Sequence, residues 1–339
     1  MCAAQPFSPG APPWKNAGRA KGTACDGAVT WHRVPTVGQM GGRCPLAIFG
    51  MISLPSTVRA DPEAVSPALL RWVRRPAGAP AVICFPHAGG SVLSCLGLAA
   101  ALPATLAIAT VALPGHAPDV PGAPVADVRL LAARLAGEIA ATLGAERAPQ
   151  GAGLTLLGNS FGALLAFETA LALERADAAC APGLHLVVSG FRAPSRPPFE
   201  APLHRLPRAV LLAELRECFG AVGPDLGGLL GPREEAALRA DLEACETYRL
   251  GDAPALRGAV SVIRLTADPS VSAEECEAWR EVRAGPVQHR ALDAGHFPWS
   301  GATAAFARLV DELVASARPV AAVPALAGRS ALSQPARQS

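Results

Sequence analysis

The sequence predicts an α/β protein: a mostly parallel sheet with helices on both faces and a helical lid inserted late in the sheet. Three observations carry this. Six apolar runs of strand length are nearly continuous, as strands buried on both faces are; helical patterns separate them; and one long interval breaks the alternation.

The strand-like runs are Ala81–Phe85, Leu106–Leu113, Leu154–Gly158, Leu184–Gly190, Ala259–Thr266 and Val287–Leu292. Helical spacing of apolar residues recurs near 93–102, 125–144, 161–176, 272–283 and 302–316. Residues 191–256 hold two charged amphipathic stretches, LPRAVLLAELRECF and PREEAALRADLEACETYRL, joined by a Gly- and Pro-rich segment. An insertion of that length is expected to sit over the carboxyl ends of the strands as a lid.

The ordered domain is expected to span residues 66–317. Residues 1–65, rich in Gly, Pro, Ala and Arg without sustained periodicity, are expected to be a disordered extension, and residues 318–339 a disordered tail. Met51 offers an alternative start that would leave the first fifty residues untranslated.

Half of the 339 residues are hydrophobic, enough for a sizeable core, while only 17% are charged and the net charge is +2. That balance points to neither nucleic acid nor an anionic membrane surface as a partner. Nine cysteines without a paired CxxC spacing argue against a disulfide framework or a zinc site and suit the reducing cytoplasm. The uncharged stretch 93–113 has spanning length, but Pro103 divides it into a helix-like and a strand-like piece, so no membrane span is expected.

The chemistry begins at Gly158-Asn159-Ser160-Phe161-Gly162. The apolar run LTLLG precedes it and the helical FGALLAFETALALE follows, which is the strand–turn–helix context of a nucleophile elbow in the α/β-hydrolase fold. Ser160 is therefore the candidate nucleophile. Its base should follow the last strand, where His296 stands in Asp293-Ala294-Gly295-His296-Phe297. The carboxylate should follow the preceding strand, where Asp268 stands before Pro269; Asp293, on the same loop as His296, competes less well for that place. After the first core strand, Phe85-Pro86-His87-Ala88-Gly89-Gly90-Ser91 is a Gly-rich turn whose backbone can point at a developing oxyanion. Ala88 and Phe161 are the candidate amide donors, and His87 is expected to hold the turn. No metal or cofactor is implied.

FPHAGGS, GNSFG, ADPSV, EAWRE and AGHF, in this order and spacing, resemble the type II thioesterases that accompany nonribosomal peptide and polyketide synthases. The lid stretches LHRLP, LLAELRE and ALRADLEACETYR resemble theirs too, so the resemblance covers about residues 70 to 314. It implies the same triad, Ser160, Asp268 and His296, with Ala88 and Phe161 as oxyanion donors. It also implies an editing role: removal of stray acyl or aminoacyl groups from acyl or peptidyl carrier proteins bearing a phosphopantetheine arm.

The chain departs from that family in three places. Asn159 stands where His is usual before the nucleophile, Pro114-Gly115-His116 replaces the common Pro-Gly-Arg, and Pro298-Trp299 follows Gly-His-Phe where smaller or aliphatic residues are frequent. Trp279 and Tyr248 match family positions, with packing as their expected role. Two rival functions stay open from sequence: a carboxylesterase of small free esters on the same fold, and a carrier-binding module without catalysis.

Overall fold

The computed structural model describes residues 69–144, 153–178, 181, 183–197, 202–219, 230–299 and 301–317. The expectations for 1–65 and 318–339 lie outside the described residues.

Seven strands form one sheet: β1 (Leu70–Arg74), β2 (Ala81–Phe85), β3 (Ala107–Val111), β4 (Leu154–Asn159), β5 (Leu184–Ser189), β6 (Ala259–Leu265) and β7 (Gln288–Leu292). Their spatial order is β1-β3-β2-β4-β5-β6-β7. Every neighbouring pair is parallel except β1 with β3. The edge strand β1 was not among the sequence expectations.

Alternation along β2 shows why its run is continuously apolar. Ala81, Ile83 and Phe85 face one core cluster with Leu131, Leu135, Phe167 and Trp279, while Val82 and Cys84 face another with Leu98, Phe306 and Leu313. Both faces are covered, so neither register position can be polar. The first face is covered by α2 (Val128–Gly144) and α3 (Phe161–Arg175), the second by α1 (Val92–Ala101) and α7 (Thr303–Ser316).

Helix starts follow local chemistry. Ser91 caps α1 in a reciprocal box with Ser94, and Asp127 Oδ1 accepts from the Arg129 and Leu130 amides at the start of α2. The segment expected as a helix at 272–283 divides into α6 (Ala273–Glu277), boxed by Ser272 and Glu275, and a 3-10 turn, Ala278–Val282. The Arg74 guanidinium closes the other end of α1, donating to the carbonyls of Ala99 (2.6 Å), Leu102 (2.9 Å), Pro103 (2.9 Å) and Leu106 (3.0 Å).

Between β5 and β6 the chain builds a helical insertion: a 3-10 turn (Leu203–Arg205), α4 (Arg208–Phe219) and α5 (Pro232–Thr247). Leu203, Leu211, Leu215, Leu238 and Leu242 give it a small core of its own. Arg239 staples it, donating to the carbonyls of His204 and Leu206 and to Glu235, which also pairs with Arg208.

Candidate active site

The loops after β2, β4, β5, β6 and β7 converge at the carboxyl edge of the sheet, where ligands bind in open α/β folds. Ser160 stands between β4 and α3 with φ 57° and ψ −129°, a conformation a non-Gly residue adopts only under constraint. The two motif glycines explain how the turn closes. A Cβ on Gly158 would lie 2.2 Å from the Gly162 carbonyl oxygen, and one on Gly162 would lie 2.4 Å from that of Phe85. The Ser160 amide donates to the Ser189 carbonyl at 3.0 Å, tying the elbow to the end of β5.

His296 is buried, and its Nδ1 lies 2.8 Å from Asp268 Oδ2. Asp268 Oδ1 accepts from the Ser270 amide at 2.9 Å and from Ser270 Oγ at 2.6 Å, and that hydroxyl lies 3.1 Å from His296 Nδ1. Burial pushes the Asp268 carboxyl up, but the bonds from His296 and Ser270 outweigh it and hold it below the ordinary carboxylate range. The rival Asp293 is exposed and is engaged by the Thr266 hydroxyl at 3.4 Å.

Ser160 and His296 line one cavity of about 210 Å³ together with His87 and Ala88. Its walls are largely apolar, many from the insertion (Leu203, Leu215, Phe219, Leu238 and Leu242), with Glu234 and Glu246 among them. The Phe219 ring stands 4.5 Å from the His296 ring, so α4 itself presses on the histidine. Phe161 is buried as the first residue of α3, where its amide has no intrahelical acceptor. His87 donates from Nδ1 to the Ala88 carbonyl at 2.9 Å and stacks on Trp299 at 5.6 Å. Burial lowers His87 to about 4, the bond to Ala88 opposing. It is therefore neutral at pH 7 and suited to bracing the turn.

Asn159, which sequence left without a role, acts as a strut. Its Nδ2 donates to the His296 carbonyl at 3.1 Å, and its Oδ1 accepts from Ser189 Oγ at 2.7 Å. Gly190 (φ +59°) makes room: a Cβ there would stand 2.7 Å from Asn159 Oδ1. Ser270 was also missed, although its place two residues after Asp268 is the spacing of a local side-chain turn. Tyr248 donates to Glu168 at 2.7 Å and Trp279 to the Phe191 carbonyl at 3.1 Å, both away from Ser160. Among the described residues, no group of three or more His, Cys, Asp or Glu side chains is arranged to hold a metal ion, and no helix is long and apolar enough to cross a membrane.

A parallel sheet carrying a strained serine after its central strand, opposite a histidine loop after its last, defines an α/β-hydrolase. Residues 80–317 match the thioesterase domain family. The chain belongs to that family, and the proteins it resembles include biosynthesis thioesterases and, among solved structures, type II thioesterases of biosynthetic clusters. It is 33% identical over 235 residues to the thioesterase PikA5 of Streptomyces venezuelae, covering 67% of this chain and 79% of that one. It is 32% identical over 236 residues to a probable cadicidin biosynthesis thioesterase of Streptomyces griseus, covering 67% of this chain but 61% of the relative's length. Among solved structures, the type II thioesterase BorB of the borrelidin cluster superposes with a TM-score of 0.64 at 33% identity, covering 74% of this chain and all (100%) of BorB. YbtT, from the yersiniabactin pathway, gives 0.63 at 28% identity, covering 74% and 99%.

Proposed function

We propose that this chain hydrolyses acyl or aminoacyl thioesters carried on the phosphopantetheine arm of acyl or peptidyl carrier proteins, clearing stalled groups in a polyketide or nonribosomal peptide pathway. The observation that carries the reading is the buried His296, bonded to Asp268, lining the same largely apolar cavity as the strained Ser160.

His296 takes the Ser160 proton as the serine oxygen attacks the thioester carbonyl. The Ala88 and Phe161 amides receive the oxyanion, and the thiolate leaves with little acid assistance because a thiol is a good leaving group. Water, activated by the same His296, then releases the free acid. Asp268 fixes the ring tautomer and stabilises the imidazolium, and Ser270 holds Asp268 ionised. The insertion serves as the lid: its leucines exclude water from the acyl group, and its displacement admits the pantetheine arm. The family membership and the apolar chamber favour this reading over a small-ester carboxylesterase.

The test is mass-spectrometric release of acetyl from an acetyl-phosphopantetheinyl carrier protein by wild type and by Ser160→Ala. Loss of acetyl with wild type alone is expected. Undiminished release by Ser160→Ala would refute the nucleophile, and a wild type that cleaves p-nitrophenyl esters but no carrier thioester would refute the substrate class.

A further inference from the structure

A buried junction links α5 of the insertion to the Gly-rich turn that carries Ala88. Asp241, fully buried on α5, accepts at Oδ2 from the Gly89 amide (2.8 Å) and from His116 Nε2 (2.8 Å). Leu238, one turn earlier on the same helix, closes over Gly89 so tightly that a Cβ there would stand 3.1 Å from its own Cβ. The Gly89 conformation, φ +70°, is thus gripped by α5 through a side-chain contact and a hydrogen bond.

His116 is the other partner of Asp241. Its Nδ1 lies 3.0 Å from the Pro114 carbonyl while its Nε2 meets Asp241, so both ring nitrogens are engaged. Burial lowers the His116 ring, but the contact with Asp241 outweighs it and raises it above the ordinary histidine value, and burial raises the Asp241 carboxyl in turn. The position is the one where Pro-Gly-His replaces Pro-Gly-Arg, so a nitrogen donor is kept by a different side chain. Asp241 Oδ1 has no hydrogen-bond partner, so both donors fall on one oxygen and the carboxylate is aimed at the turn.

We propose that Asp241 is a positioning residue for thioester hydrolysis: from the insertion it holds the Gly89 amide, and so sets the Ala88 turn in the geometry that receives the oxyanion. This rests on the Ser160 reading above. It makes the seating of α5 a condition of catalysis, because lifting the helix removes the acceptor that orders the turn.

Asp241 has two separable duties, partner of His116 and acceptor for Gly89, and substitutions divide them. Asp241→Leu strands the buried His116 ring and frees the turn. Asp241→Leu with His116→Leu removes both buried polar partners, which restores stability but not the acceptor. Asp241→Asn keeps an oxygen for Gly89 in a side chain of the same size. With hexanoyl-N-acetylcysteamine thioester as probe, Asp241→Leu should lose kcat by about 10- to 100-fold, the order of a weakened oxyanion donor, with KM changed less than about threefold. The double variant should recover the melting temperature while kcat stays low, and Asp241→Asn should lose less than about fivefold. Should the leucine variants not fold, Asp241→Ala takes their place.

The proposal is overturned if the double variant recovers kcat along with its melting temperature, if Asp241→Leu keeps wild-type kcat, or if the whole loss falls on KM. Ser160→Ala, assayed alongside, separates the two readings. Its activity would remove the foundation, whereas an inert Ser160→Ala beside a fully active Asp241→Leu would refute this inference alone.

Discussion

Replacing Asn159 by Leu, a side chain of similar size, removes both buried hydrogen bonds of the strut and little volume. Ser189 Oγ then loses its acceptor and the His296 carbonyl its donor, in a site where Asn159 and Ser189 are each 2% exposed. A neutral hydrogen bond contributes about 0.5–1.5 kcal/mol net, and a buried group left without a partner costs about 1–3 kcal/mol. With the Ser189 hydroxyl free to rotate towards another acceptor, the expected destabilisation is about 2–4 kcal/mol. At roughly 2–4 °C per kcal/mol for a domain of this size, the melting temperature should fall by about 4–16 °C. Urea unfolding followed by tryptophan fluorescence measures the first figure and thermal scanning the second. Asn159→His, the residue usual in the family, offers a ring donor towards the His296 carbonyl and should lose less. A melting temperature within about 1 °C of wild type for Asn159→Leu would mean that the strut contributes nothing net, and the bond accounting for this site would be wrong.

Two further outcomes follow from geometry and burial. Gly158→Ala places a Cβ 2.2 Å from the Gly162 carbonyl oxygen, a contact that only backbone displacement relieves; it should destabilise by more than about 3 kcal/mol and abolish hydrolysis, and a folded, active alanine variant would contradict the elbow described here. His185 is buried on β5, and burial lowers it to about 4. The unfolded chain takes up its proton near pH 6.5 and the folded chain only near 4, so this group's contribution to stability declines as pH falls from about 6.5 to 4, by about 3 kcal/mol in all. His185→Gln should flatten the urea midpoint across that window; an unchanged slope would show that His185 does not titrate this way.

Much of the architecture was legible because local signals agreed. The continuous apolar runs on either side of GNSFG and the glycines that flank Ser160 point to a strand–turn–helix, and the loops after the last two strands offer His296 and, with Asp293 as its rival, Asp268. β1 was not legible: LRWVR is short, mixes Arg with apolar residues, and is a strand because it pairs antiparallel along the edge of β3. The Asp241–His116–Gly89 junction joins positions 125 and 152 residues apart, and no periodicity encodes such a meeting. Asn159 was conspicuous as a departure, but its partners lie at the end of β5 and on the loop after β7, which only the folded sheet brings together. Ser270 alone could have been caught from its spacing to Asp268.

The Arg74 guanidinium, bound to carbonyls at and just beyond the end of α1, bears on a region it never touches. Helix α1 begins one residue after the Ala88–Gly90 turn, at the Ser91 cap, and runs away from it along the sheet. Arg74 fixes the far end of that helix and the loop after it through four carbonyls at once. The turn is therefore moored on both sides, by β2 before it and by an anchored rod after it. An edge strand that looks dispensable thus holds the far end of the helix that follows the Ala88–Gly90 turn, and any shortened version of the chain that is to keep this mooring has to begin ahead of it.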